Sequence, residues 1–238
     1  MATTSYQYLG QMVKKGDFVK LLEELNEIEK DERYLKSLLD KSNGTSELEG
    51  LLYFIPQFSL DKDKKLKEKV LEVVDKILEL GADPNATFKS GITAFMQACQ
   101  YSNKEYVKHY HEKTKVDCNI GDGRGARPLY YAMMGENIEV LDYLVTDLGV
   151  NINQKMILLQ GKTVFHSACM EVKENSILKL MELGARPDIY DDNENLPCQL
   201  IPSFDDEIYE ESEKDEEYYE KCDRLFEILK LHYKEYKE

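Results

Sequence analysis

Apolar residues recur along the middle of the chain with the spacing of an α-helix. In the stretch ENIEVLDYLV, the side chains of Ile138, Leu141 and Leu144 fall on one helical face, with Val145 beside them. Comparable segments alternate with short polar stretches that contain glycine. The pattern predicts an all-α chain built from units of a turn, a short helix and a longer helix.

These units repeat at a nearly constant interval. Asn85, Asn119 and Asn153 lie 34 residues apart and close the related phrases LGADPN, TKVDCN and LGVNIN. Two further sets of residues recur at intervals of 34 and 36: Gly91, Gly125 and Gly161, and Ala98, Ala132 and Ala168. A fixed period of this size indicates a repeat architecture in which each unit buries its apolar face against its neighbours.

The repeated phrases resemble the ankyrin repeat, whose signature is roughly G-x-T-P-L-H-x-A followed by a second helix and L-x-x-G-A-D-x-N. The matching segments are GITAFMQA from Gly91, GARPLYYA from Gly125, GKTVFHSA from Gly161 and a weaker ENLPCQLI from Glu194. The resemblance implies an all-α ankyrin-repeat solenoid of stacked helix-turn-helix units, with short turns called fingers and a helical cap at each end. Only the segment from Gly161 keeps both polar residues of the motif, as Thr163 and His166.

The repeat register divides the chain into six segments. The expected segments are a cap or degenerate repeat at 1–42, a repeat with an insertion at 43–86, three repeats at 87–120, 121–154 and 155–190, and a degenerate final repeat with an acidic insertion and capping helix at 191–238. Within the cap, two short helices are expected around Gly16 and Asp17. In the last segment, we expect an apolar stripe of Tyr218, Cys222, Leu225, Phe226, Leu229 and Tyr233.

Composition and charge exclude several classes of function. The apolar runs are far shorter than the roughly 20 residues of a membrane helix, and the N-terminus lacks a signal-peptide pattern, so we expect a cytoplasmic protein without membrane insertion, with a nuclear location or delivery to a host cytosol as alternatives. A net charge of −15 disfavours nucleic acid and leaves a partner with a basic segment open. The five cysteines are widely spaced, which indicates neither disulfides nor a zinc site.

No set of residues has the pattern of a catalytic or cofactor site. The stretch GDGRG at 121–125 lacks the context of a phosphate-binding loop and is predicted to be a turn. His109 and His111 point about 200° apart on a helix and cannot chelate one metal together. Cys99 and Cys169 are interpreted as buried structural thiols. We therefore expect a non-enzyme that uses no metal or cofactor.

An acidic run covers Asp205 to Glu217, with nine acids against Lys214 as the one basic residue. Two interpretations remain open for it. It is either a solvated linker before the last helix or a docking strip for a basic partner, which would be sensitive to salt.

The resemblance implies that fingers and short first helices bind a protein or peptide, because that is how ankyrin repeats usually work. The partner-binding residues expected by register are Phe88, Lys89, Ile92, Gln100, Tyr101, Arg124, Met134, Met156, Ile157, Leu158, Leu159, Lys162 and Met170. Phe, Tyr, Met and Arg, which occur among them, are residue types enriched at protein interfaces. The protein is expected to be monomeric on its own.

The finger at 155–160 is longer than its neighbour, because Gly125 and Gly161 lie 36 residues apart instead of 34. Its apolar run, Met156 to Leu159, has two interpretations. The run either packs back on neighbouring fingers or enters a pocket on a partner.

The expected function is a protein interaction scaffold that acts as an adaptor or a stoichiometric inhibitor. Two alternatives stay open: a bacterial effector that engages host proteins, and a structural spacer.

Overall fold

The computed structural model describes residues 5–42, 44–58, 64–202 and 216–237. The chain divides between Gly123 and Arg124 into two compact units, which we describe separately. Throughout the described ranges the regular structure is helical, and extended backbone pairs only in isolated bridges at Thr87–Thr93 and Met156–Lys162. The all-α prediction is therefore confirmed for these residues.

The first unit begins with three helices, α1 (Ser5–Lys15), α2 (Phe18–Ile28) and α3 (Glu32–Leu38). Between the first two helices lies the predicted turn, which ends at Asp17. The Asp17 side chain accepts a hydrogen bond from the main-chain N–H of Lys20 at 3.2 Å and so caps α2. Helix α3 was not predicted, because its seven residues bury only Leu38 and so show no apolar period.

Two further helices follow, α4 (Glu47–Phe54) and α5 (Lys64–Glu79). Ser46 and Glu49 form a reciprocal capping box at the start of α4, so the helix begins where its first free N–H groups are satisfied. Helix α5 has 16 residues, against 11 in the corresponding α7, and its exposed Lys64 and Lys65 belong to the predicted charged insertion. Part of that insertion therefore lengthens a helix, while residues 59–63 lie outside the described ranges.

The best-formed pair of the first unit is α6 (Ala94–Tyr101) with α7 (Lys104–Thr114). The first helices of successive repeats pack on each other, and so do the second helices. As a result α1, α4 and α6 form one layer, and α2, α5 and α7 form a second. Residues 87–93, which we name finger 1, close with a bridge between Thr87 and Thr93. Its Gly91 has φ +76° and lies so near Gly123 that an added Cβ would stand 2.9 Å from the Gly123 nitrogen.

The second unit repeats this arrangement with α8 (Pro128–Met134) and α9 (Ile138–Asp142), then α10 (Val164–Met170) and α11 (Glu174–Glu182). A π-turn at Tyr143–Asp147 extends α9. Helix α8 packs on α10, and α9 packs on α11. The Ser176 hydroxyl also donates to the Met133 carbonyl at 3.1 Å, which ties one repeat to the next.

The end of the second unit departs from the repeat. The weak motif forms only a 3₁₀ turn at Pro197–Leu200, bounded by Pro197 and Pro202. Helix α12 (Glu216–Lys237) packs on this turn and buries Tyr219, Cys222, Leu225 and Leu229. The predicted stripe is correct at those last three positions and wrong at its edges, since Tyr218 and Tyr233 are half-buried and Phe226 is exposed. Most of the acidic run lies outside the described residues.

Candidate protein interaction surface

Residues 155–163, which we name finger 3, form a small hydrogen-bonded loop. The Met156 N–H donates to the Lys162 carbonyl at 2.9 Å, and a 3₁₀ turn covers Ile157–Leu159. Gln160 and Gly161 return the chain with φ of +58° and +64°. Two successive left-handed residues are needed to reverse the chain so tightly, and glycine adopts that conformation at low cost.

The apolar run of finger 3 divides between core and solvent. Met156 is 2% exposed, whereas Ile157 is 82% exposed and Leu158 is 68% exposed. Met156 has extended backbone beside the bridge, so successive side chains point to opposite sides there. Leu159 is half-buried. Met156 is therefore packed inward, and Ile157 and Leu158 face water, where a partner can reach them.

The next turn, residues 189–196, holds finger 3 in place, and we name it finger 4. The Asp192 N–H donates to the Gln160 carbonyl at 2.9 Å, and Asn193 Nδ2 donates to Gln160 Oε1 at 3.3 Å. Lys162 Nζ lies 3.6 Å from Asp191 Oδ2, and the Asp191 side chain is fully buried. Hydrogen bonds and an ion pair from finger 4 thus hold finger 3 in place.

Burial acts on Asp191 against its ionisation, but hydrogen bonds outweigh it. Main-chain N–H groups of Asn195 and Asn193 donate to its carboxylate at 2.9 Å, and Lys162 adds an opposite charge. Together these keep the pKa of Asp191 below its usual value despite burial. The carboxylate is therefore charged at neutral pH and available to hold finger 4 against finger 3.

The first helix after finger 3 begins with the best-preserved motif residues. The Thr163 N–H donates to His166 Nδ1 at 3.1 Å, and His166 Nε2 lies 3.2 Å from the Asn195 carbonyl. Burial lowers the pKa of His166, so its neutral form with a proton on Nε2 satisfies both contacts. The motif histidine thus joins the start of α10 to finger 4.

The remaining predicted residues of the second unit lie at helix ends and turns. Met134 ends α8 and is half-buried, and Met170 ends α10 and is 43% exposed. Arg124 is exposed, with its guanidinium carbon 5.8 Å from the centre of the Tyr130 ring. Met134 and Met170 occupy equivalent positions in adjacent repeats, because each is the last residue of its first helix. These two helices, α8 and α10, pack on each other.

Two predicted residues do not offer their side chains to a partner. Met156 packs in the core, and Lys162 is only 8% exposed because it pairs with buried Asp191. Both are corrections to the expected surface, and we leave them out of it. Ala126, in the turn before α8, is fully buried.

In the first unit, the predicted residues gather around aromatic side chains. Phe88 in finger 1 packs against Tyr53 of α4 with ring centres 4.1 Å apart, and Lys89 beside it is exposed. Tyr101 at the end of α6 is 52% exposed, while Ile92 and Gln100 are half-buried. Tyr53 was not predicted, because the repeat that contains it departs from the motif used to set the register.

The cysteines and histidines considered for chemistry are buried or half-buried. Burial raises the pKa of the Cys99 and Cys169 thiols well above its usual value, and that of Cys118 to about 11. His109 Nε2 contacts Asp75 Oδ1 at 2.7 Å, and burial lowers the pKa of half-buried His111. No group of three or more metal-ligating side chains occurs within the residues that the structure describes.

Comparison with known sequences matches the repeats directly. A family model for ankyrin repeats, in three copies, covers residues 66–156, from α5 into finger 3. Residues 66–156 are therefore similar to ankyrin repeats. A Rickettsia bellii (strain RML369-C) protein named as an ankyrin repeat protein is 34% identical over 113 residues, which is 46% of this chain. The match spans only 16% of that relative's length.

The similarity to ankyrin repeats indicates a class of function. Ankyrin repeats generally mediate protein–protein interaction, and proteins of this family are typically not enzymes. Among the described residues, no helix is long and apolar enough to cross a membrane.

Proposed function

We propose that this protein binds a protein or peptide partner through the apolar tip of finger 3 and the neighbouring first helices. The observation that supports this most directly is the exposure of Ile157 and Leu158, at 82% and 68%, on a turn held by hydrogen bonds. Contiguous exposed aliphatic side chains of this size are costly in water and are typical of interaction sites.

The rigid support of finger 3 favours binding over incidental exposure. Gln160 and Lys162 are tied to finger 4 through Asp192, Asn193 and Asp191, so the tip need not become ordered when a partner arrives. A surface that is already ordered loses less conformational entropy on association. Met134, Met170 and Arg124 extend the proposed surface with residue types that are common at interfaces.

In this role the protein acts as an adaptor or a stoichiometric inhibitor, and binding itself is its activity. A structural spacer would gain nothing from exposed Ile157 and Leu158. Burying one such side chain contributes about 1.5–3 kcal/mol, so two of them supply enough free energy to dominate a small interface.

The test compares partner capture by the wild type and by Ile157→Asp/Leu158→Asp. We expect the double variant to bind the captured partner about 100-fold more weakly, because each lost side chain contributes more than the 1.4 kcal/mol that corresponds to a factor of ten. Circular dichroism of both proteins checks that the helices are intact.

Leu178→Asp/Leu231→Asp is the matched control, since these leucines are 44% and 59% exposed on α11 and α12 of the same unit. It adds the same charge away from finger 3. Equal loss of affinity in both double variants would show that added charge, and not finger 3, is responsible, and unchanged affinity in the finger variant would refute the proposed surface.

A further inference from the structure

A cavity of about 660 Å³ opens in the first unit between α4 and finger 1. One side is made by residues 44–47 before and at the start of α4, and the opposite side by Thr87, Phe88 and Lys89. Tyr53 and Phe54 of α4 complete its lining. Its volume lies within the roughly 300–1,000 Å³ of pockets that hold ligands in proteins.

Aromatic rings dominate this cavity. Tyr53 packs against Phe88 with ring planes 36° apart, and Phe54 meets Tyr53 edge to face with ring centres 5.3 Å apart. Phe54 remains 37% exposed, and Tyr53 and Phe88 are half-buried. Rings arranged in this way present both faces and edges, which allow another aromatic ring to stack with an offset or edge to face.

Polar side chains line the cavity together with the aromatic ones. Thr45 and Thr87 place a hydroxyl on each side, and the Thr87 side chain is exposed. Hydroxyl groups both donate and accept, so they suit the alternating N–H and C=O groups of an extended peptide. A lining of aromatic rings and hydroxyl groups fits a side chain that is attached to a peptide backbone.

The negative charge of the protein favours basic peptides over acidic ones. The protein carries a net charge of −15, and the cavity lining holds one carboxylate, on Glu47, and one ammonium group, on Lys89. Lys41 pairs with both Glu49 and Asp83, which leaves an acidic excess at this end of α4. A basic peptide is therefore attracted and an acidic one repelled.

We propose that this cavity receives an aromatic side chain of a basic peptide segment in the partner protein. The inference rests on the proposed protein-binding function and assigns it a second contact point in the first unit. It also gives Phe88 and Lys89 a defined place, since both line the cavity.

The test measures binding of labelled heptapeptides to the full chain by fluorescence polarisation at low salt. The first peptide has a central phenylalanine, a glycine on each side and two arginines at each end. The second replaces phenylalanine by alanine, and the third replaces all arginines by glutamate. We expect the phenylalanine peptide to bind at least tenfold more tightly than either of the others. Equal binding of the phenylalanine and alanine peptides, or of the arginine and glutamate peptides, would overturn the proposal.

Thr87→Trp fills the cavity from an exposed position while the main-chain bridge to Thr93 is kept. We expect it to abolish the preference for phenylalanine, as should Thr45→Trp on the other side, whereas Lys108→Trp on exposed α7 should preserve it. Retention of the preference in both cavity variants, with circular dichroism unchanged, would refute the assignment.

Ile157→Asp/Leu158→Asp separates this inference from the proposed function of finger 3. That variant leaves the cavity intact, so it should bind the phenylalanine peptide as the wild type does. If the wild type does not prefer the phenylalanine peptide, the proposed role of the cavity alone is refuted. If the finger 3 variant binds the partner as the wild type does, the proposed role of finger 3 alone is refuted.

Discussion

Gly161 lies against the carboxylate of Asp192, so closely that a Cβ at this glycine would overlap the carboxylate oxygens. The same glycine has φ +64°. The contact joins fingers 3 and 4 at the point where the Asp192 N–H reaches the Gln160 carbonyl. A side chain at residue 161 would therefore disturb the support of the proposed binding tip.

We predict that Gly161→Ala lowers the free energy of unfolding by more than the roughly 1–2 kcal/mol expected for a non-glycine residue in a left-handed conformation. Gly149→Ala is the matched control, because Gly149 has φ +66° with no atom within 4 Å of an added Cβ. Urea denaturation followed by circular dichroism measures both. Equal destabilisation by the two variants would mean that Asp192 moves aside without cost.

Two neighbouring tyrosines of α7 should respond oppositely to removal of their hydroxyl groups. Tyr106 is 1% exposed and its hydroxyl has no hydrogen-bond partner within the described part of the chain, whereas the Tyr110 hydroxyl donates to the Pro84 carbonyl at 3.2 Å. Burying an unsatisfied hydroxyl costs about 1–3 kcal/mol, and losing a typical hydrogen bond costs about 1 kcal/mol.

We therefore predict that Tyr106→Phe leaves stability unchanged or raises it, and that Tyr110→Phe lowers it by about 1 kcal/mol. Each variant serves as the control for the other, since both remove one oxygen from the same helix. Thermal or urea unfolding is the measurement, and a larger loss in Tyr106→Phe would show that its hydroxyl is hydrogen-bonded in solution.

A buried carboxylate in the first unit depends on a half-exposed lysine. Glu49 is 1% exposed and accepts the Ser46 N–H at 2.9 Å, while Lys41 Nζ lies 2.6 Å from its other oxygen. The hydrogen bond with Glu49 is the main cause of a raised Lys41 pKa. Lys41 therefore stays charged and offsets the burial of Glu49.

We predict that Lys41→Met lowers the free energy of unfolding by about 1–3 kcal/mol, because it leaves a buried acceptor without its charged partner. Lys64→Met is the control. Its ammonium lies 3.9 Å from Glu68 and its side chain is 89% exposed, so the loss should stay below about 0.5 kcal/mol. A Lys41→Met effect as small as the control's would contradict the role of this pair.

Sequence patterns predicted the repeat architecture because its signals are local and periodic. The 34-residue spacing of Asn85, Asn119 and Asn153 sets the register without any knowledge of tertiary contacts. The course of the run at 156–159 could not be predicted in the same way. Whether Met156 or Ile157 faces the core depends on the bridge to Lys162 and on Asp191, which lies in another repeat.

The cavity in the first unit was missed for a related reason. Its residues come from α4, where the motif is degraded, and from finger 1, about 40 residues later in the chain. The contact of Tyr53 with Phe88 follows from the packing of α4 on α6, which a single sequence does not reveal.

The preserved motif histidine makes the second unit sensitive to pH. Burial lowers the pKa of His166 below its ordinary value of 6.5, so the unfolded chain binds a proton more readily than the folded chain does. The stabilising contribution of neutral His166 is complete above pH 6.5 and is lost as the pH falls below it.

We predict that the midpoint of urea unfolding decreases from pH 7.5 to 5.5. His166→Gln should be less stable at pH 7.5 but show a smaller decrease, because glutamine does not titrate. His111, whose pKa burial also lowers, adds a dependence of the same sign in both proteins. An equal decrease in wild type and His166→Gln would assign the pH dependence to other groups.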